Sequence, residues 1–171
     1  IARRFGLKVV EPRPALVPFT LGGEETLFRT LSGVSAEVVA RTGKTKFREA
    51  ALFTHRGLSG PAVLQISSYW QNRTGLTLNL LPQLDVAQEL VSLKNQVKKN
   101  LGNVVAQWLP ARLAEGWLLA NDFSPDARLA DLPDKQLRRL GESLNRWEIS
   151  PSGSEGFRKA GVTIGGVDTR A

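Results

Sequence analysis

The chain has 171 residues, 42% of them hydrophobic and 23% charged, the mix of a folded globular protein that hides roughly 70% of its unfolded surface. With 23 basic and 16 acidic side chains its formal charge is +7, which suits nucleic acid, an anionic membrane surface or a phosphorylated ligand. The absence of cysteine excludes disulfides, thiolate catalysis and cysteine-held metals, and a single histidine, His55, excludes any site needing two imidazoles, so no metal is expected.

No apolar run approaches the roughly 20 residues that span a bilayer, and no basic-then-apolar leader opens the chain, so a cytoplasmic protein is expected. There is no methionine at all; the chain opens Ile1-Ala2-Arg3-Arg4 and ends Gly165-Gly166-Val167-Asp168-Thr169-Arg170-Ala171, which reads as a piece of a longer protein.

The elements divide into two unlike halves. Up to Pro82 there are 11 basic and 5 acidic residues; from Gln83 onward there are 12 and 11. Short β-prone stretches fill the first half: Ala15 to Phe19, Val34 to Val39, Phe47 to Phe53 and Leu76 to Leu80. Val34, Ala36 and Val38 alternate with Ser35 and Glu37, the period of a half-buried strand, and Arg41-Thr42-Gly43-Lys44 predicts a hairpin turn into the next strand. The second half has helical spacing. Val86, Leu90, Leu93, Val97 and Leu101 predict one helix, capped by Asp85 with Gln88 three residues on and stopped at Gly102. A second helix is expected from Pro110 to Asn121, and a third, after Asp131-Leu132-Pro133, carries Leu137, Leu140, Leu144 and Trp147. Trp108 and Trp117 are the expected anchors of their shared core. In the tail, Ala160-Gly161-Val162-Thr163-Ile164 predicts a strand that returns to the sheet. The expected class is therefore α+β: an antiparallel β-barrel-like part (1–82 and 146–171) with an inserted small all-α subdomain (83–145).

Most short motifs dissolve on inspection. Gly43-Lys44-Thr45 imitates the end of a phosphate loop, but Val38 stands where the earlier glycine belongs. No G-x-G-x-x-G follows a strand. Gly57-Leu58-Ser59-Gly60 misses the glycine spacing of a nucleophile elbow, which weakens any pairing of Ser59 with His55. Asn72-Arg73-Thr74 fits a glycosylation acceptor and, without an export signal, reads as a turn. Lys94, Lys98, Lys99, Arg138 and Arg139 suit solvated helix faces. Exposed aromatics for stacking bases are not apparent, which makes a nucleic acid partner the lesser expectation.

The run from Phe53 to Leu64 is the most informative. A strand ends, a glycine-bracketed turn follows, and a helix starts with Pro61 in its first turn. Free N–H groups at such a start, with Arg56 beside them, would attract an anion. Glycines that serve only backbone geometry explain the same pattern.

Phe53-Thr54-His55-Arg56-Gly57-Leu58-Ser59-Gly60-Pro61-Ala62-Val63-Leu64-Gln65-Ile66-Ser67-Ser68-Tyr69-Trp70 strongly resembles a signature of the BaiN-like family of NAD(P)/FAD-dependent flavoproteins. Arg4-Phe5-Gly6 with Glu11 to Pro18 at the start, and Gly161-Val162-Thr163 with Gly165-Gly166-Val167 at the end, resemble it in the same order. The resemblance implies an insert, a substrate-site cap, in an FAD-dependent oxidoreductase whose glycine-rich FAD fingerprint is not among these residues. FAD would then be held by the FAD-binding domain of the same parent chain and not by this segment, with NAD(P)H as co-substrate. It also implies that Thr54, His55, Arg56, Gly57, Leu58, Ser59, Gly60 and Pro61 face the flavin or substrate cavity, with Arg56 as an anion contact and His55 as a proton donor. Gly165 and Gly166 would mark re-entry into the FAD domain. Its rival is a basic nucleic-acid-binding module, whose affinity would fall steeply with salt.

Overall fold

The computed structural model describes residues 9–15, 19–20, 25–70, 75–151, 153–154 and 162–167. In chain order the elements are β1 (Val9–Ala15), β2 (Phe19–Thr20), α1 (Glu25–Leu31), β3 (Ser35–Thr42), β4 (Thr45–Phe53), β5 (Gly57–Ser59), α2 (Pro61–Ser67) and β6 (Leu76–Asn79). There follow α3 (Val86–Leu93), α4 (Leu101–Val105), α5 (Ala111–Ala120), a 3₁₀ turn at Leu129–Asp131, α6 (Asp134–Asn145), β7 (Trp147–Ile149), β8 (Gly153–Ser154) and β9 (Val162–Val167). The class is α+β, with a curled antiparallel sheet in the order β7-β6-β3-β4-β5-β2-β8 and helices packed on it.

Alternation builds the sheet. The β3–β4 hairpin closes with Thr42 opposite Thr45, and Gly43 takes φ +56, a left-handed conformation that costs glycine least. Val38 and Ala40 of β3, Ala51 and Phe53 of β4, Leu76 and Leu78 of β6, and Trp147 and Ile149 of β7 turn inward and are buried. Each large side chain among them contributes about 1.5–3 kcal/mol by leaving water. α2 lies across β3 and β4, burying Ala62, Val63 and Ile66.

The chain leaves the sheet after β6, builds the helices and returns as β7, which is hydrogen-bonded to β6. Asn145, at the end of α6, locks this junction. Its Oδ1 accepts from Val86 N–H at 2.8 Å, while its Nδ2 donates to the carbonyls of Leu81 at 3.0 Å and Leu84 at 2.8 Å and to Asn79 Oδ1 at 3.1 Å. The core passes through the junction. Trp147 stacks on Phe53 with ring centres 6.3 Å apart, and meets Trp117 of α5 edge-on at 5.0 Å. Trp117 in turn donates from Nε1 to Ser143 Oγ at 3.1 Å. α3 and α6 approach so closely that a Cβ on Gly141 would come within 2.7 Å of Ala87 Cβ and collide with Ala87 backbone.

Several expectations need correction. The helix expected from Val86 to Leu101 ends at Leu93. Residues 99–102 are captured instead by a neighbouring loop: Leu101 N–H donates to Ala127 O and Gly102 N–H to Pro125 O, both at 2.8 Å. Leu101 therefore opens α4, and Gly102 lies inside it rather than stopping α3; a Cβ there would sit 2.9 Å from Pro125 Cβ. The Asp85 cap is as expected, accepting from Gln88 N–H. Trp147 belongs to β7 and not to the third helix, which ends at Asn145. Trp117 is buried, but Trp108 is only partly so. The tail strand pairs with β1 in a separate two-stranded sheet instead of the larger one. Leu16, Val17 and Pro18 lie outside the described residues, as do Asn72, Arg73 and Thr74.

Candidate functional site

β4 reaches its buried end at Phe53 and turns back at once. Thr54 N–H donates to Gly57 O at 2.9 Å, and Gly57 N–H donates to Thr54 Oγ1 at 3.1 Å, closing a four-residue turn. β5 then runs back between β4 and β2, with Leu58 opposite both Phe53 and Phe19. The sequence predicted a turn here and missed the strand, because three residues carry too short a pattern to show a period.

The eight positions singled out from the sequence separate accordingly. His55 and Arg56 are exposed at the tip, and Pro61 is exposed at the start of α2. Thr54, Ser59 and Gly60 are half-buried, whereas Gly57 and Leu58 are buried, Leu58 fully so within the core. His55 and Arg56 are thus brought together on a turn whose two hydrogen bonds and buried flanks hold it in place. No hydrogen bond joins Ser59 to His55 among the described residues. Gly60 has φ +89, and a Cβ on it would come within 2.8 Å of Leu52 N and 3.0 Å of Ala50 O. Contact with β4 therefore accounts for this glycine without any ligand. Gly165 and Gly166 lie in β9, with Gly166 opposite Val10.

The structure also has a concave feature that the sequence did not reveal. On the outer side of β3, β6 and β7 lies a cavity of about 790 Å³, lined by Arg41, Thr77, Asn79, Arg146 and Glu148 among others. A neighbouring cavity of about 750 Å³, toward α3 and α6, shares Asn79, Asn145 and Arg146 with it. The signal was present in the alternation, since Val39 and Arg41 continue the outward series begun by Ser35 and Glu37. Among the described residues no helix is long and apolar enough to cross a membrane, and no cluster of three acidic or histidine side chains could hold a metal.

The family model described as "HI0933-like protein barrel and H2TH domain" matches residues 13–162. The chain belongs to this family. It is part of a wider family of flavoproteins, in keeping with the resemblance seen in the Phe53–Trp70 run. The chain is 40% identical over 173 residues to a protein of Haemophilus influenzae named ribosomal RNA dihydrouridine synthase. It is 45% identical over 174 residues to a protein of the same name from Escherichia coli K12. Each alignment takes in 99% of this chain and 43% of the relative, so the chain spans under half the length of the curated relatives it matches.

The described residues do not fit a dinucleotide cradle. Such a cradle needs a parallel β-α-β unit with a glycine turn at the helix start, and every strand pair here is antiparallel. The helix that follows Gly60 has only seven residues, and its start is crowded by β4.

Proposed function

We propose that the chain is the substrate-covering part of a flavin-dependent enzyme that reduces uridine in ribosomal RNA, with the dinucleotide held by sequence beyond these 171 residues. The observation that carries this reading is identity of 40% and 45%, along 99% of the chain, to two proteins named for that reaction. The barrel-like sheet and helices form one continuous core, which suits a rigid cover over a site completed elsewhere.

Converting uracil to dihydrouracil adds a hydride and a proton across the C5–C6 double bond. The hydride lies outside the chemistry of this chain, whose side chains hold no reductant. A proton donor and an anion-binding group are within its means. His55 is an imidazole on a pinned, exposed turn, placed to deliver a proton if the turn faces the reacting base. Arg56 beside it offers a guanidinium to a phosphate or a pyrimidine carbonyl. Leu58 supports the turn from within the core instead of touching substrate.

The test uses the complete protein that carries this chain, loaded with its flavin, on ribosomal RNA lacking the modification. Dihydrouridine is read by mass spectrometry. The expected outcome is dihydrouridine at a defined position, with His55→Gln lowering kcat by about 10²-fold or more, the range of a lost general acid. Arg56→Ala is expected to raise KM more than it lowers kcat. Absence of dihydrouridine from every RNA offered overturns the reaction. Unchanged kinetics in both variants overturn the assignment of the turn while leaving the reaction in place.

A further inference from the structure

The outer face of the β3–β4 hairpin and its neighbours gathers positive charge. Residues directly opposite in an antiparallel pair share a face, so the registers Arg41↔Lys46, Val39↔Arg48, Arg41↔Thr77 and Val39↔Asn79 place these side chains together. Lys44 stands in the connecting turn, and Arg146 lies at the far rim beside β7. The carboxylates here are Glu37, paired with Arg48 at 2.7 Å, and Glu148, 3.8 Å from Arg146. Arg41, Lys44 and Lys46 have no ion-pair partner among the described residues and are exposed.

Three cations of the helical part are used differently. Arg112 donates to the carbonyls of Thr30 and Ser32 at the end of α1, Lys94 pairs with Asp134 at 3.0 Å, and Arg139 lies 4.6 Å over the Phe123 ring. These fasten one helix to another. Arg41, Lys44 and Lys46 fasten no other element among the described residues, and Arg41 lines the cavity of about 790 Å³.

The floor of that cavity offers a prearranged donor. Asn79 Oδ1 already accepts from Leu81 N–H at 3.0 Å and from Asn145 Nδ2 at 3.1 Å, which fixes the amide. Its Nδ2 group has no partner among the described residues and is not sealed from solvent. The neighbouring cavity shares Asn79, Asn145 and Arg146 with this one, but Asp85 and Glu142 offset Arg138 there, so the cationic part of the concave surface ends at Arg146. A concave track edged with separated cations and floored with amide and hydroxyl donors suits a polyanion whose charges repeat along a chain.

We infer that this face, from the β3–β4 hairpin across β6 to β7, is a docking track for a strand of RNA backbone. The inference rests on the proposed function for the identity of the polyanion, and on the charge and shape of the face for its location. The choice of RNA over an acidic peptide rests on the proposed function, because amide, hydroxyl and guanidinium donors bond carboxylate and phosphate oxygens alike.

The experiment measures binding of an unmodified ribosomal RNA fragment to the complete protein by filter retention, from low to high salt. The variant Arg41→Gln/Lys46→Gln is compared with Lys98→Gln/Lys99→Gln, which removes the same charge from the exposed loop after α3. Loss of two phosphate contacts predicts that the log–log salt slope of the hairpin variant falls by about 1.4, at about 0.7 per single-strand phosphate, with affinity at least about tenfold weaker at low salt. The control pair is expected to leave both unchanged. Equal loss in the two variants, or no loss in either, overturns the track. Circular dichroism melting keeps the comparison independent of folding, and Lys46→Gln alone should lower the slope by about half as much if the double variant melts early. Amine acetylation adds a second readout: Lys44 and Lys46 should react in the free protein and be protected by RNA. Their protection without RNA would mean that the protein's own chain covers this face, and would overturn the inference. Dihydrouridine formation with an unaltered salt slope in the hairpin variant overturns the track alone; a lowered slope in a protein that forms no dihydrouridine sustains the track and overturns the reaction.

Discussion

The two faces of the β7–β6–β3–β4 wall come from the same strands, one residue out of step. Inward, Ala40, Phe53, Leu78 and Trp147 meet the helices; outward, Arg41, Lys46, Thr77 and Asn79 meet water. The inner face is tightly coupled, since each side chain there fills space that another leaves. The outer face is loosely coupled, and its charges can change with little effect on the fold. Stability and the proposed RNA docking are thereby assigned to opposite faces of one sheet, a division that substitutions can test.

Trp147→Ala should break the inner face most severely. It removes the ring that joins Phe53 to Trp117, and a destabilisation of about 3–5 kcal/mol is expected in urea unfolding. A loss below about 1 kcal/mol would mean that sheet and helices are not joined through this residue. Asn145→Leu comes next. It leaves Val86 N–H and the carbonyls of Leu81 and Leu84 without their partner, at a cost of about 2–4 kcal/mol. Hydrogen exchange at Val86 should accelerate before the global unfolding transition. On the outer face, Glu37→Gln should change stability by no more than about 0.5 kcal/mol, because its bond to Arg48 joins two exposed side chains. The same substitution frees a cation on the RNA track, so RNA affinity should rise modestly at low salt; a fall would contradict the track. Together these measurements separate the two faces by the size of their effect on folding and by the direction of their effect on binding.

The fold was legible where one period governed one element. The β3–β4 hairpin, the Asp85 cap, α5 and α6 follow from alternation, helical spacing and capping residues. The stripe from Val86 to Leu101 misled because periodicity reports burial rather than an unbroken hydrogen-bond ladder. Val86, Leu90 and Leu101 are all buried, yet the ladder breaks where Ala127 and Pro125 carbonyls take over the N–H groups of Leu101 and Gly102. The Thr54–Pro61 segment was legible as a turn that presents His55 and Arg56. Its sequence could not tell that Leu58 points into the core, or that Gly60 is required by the backbone of β4. From the sequence RNA is the lesser expectation because the tryptophans are on apolar faces; the proposed function draws RNA from the name of the two relatives and relies on cations and amides instead of stacking.

Local pattern by itself determined the α+β class, the antiparallel pairing of neighbouring strands and the position of the informative turn. These depend on residues close in sequence, whose spacing states the element directly. Only the tertiary structure decided which outward side chains converge. The Arg41–Lys46 hairpin, Asn79 and Arg146 are far apart along the chain, and they share one surface because strand register and the Asn145 junction bring them there.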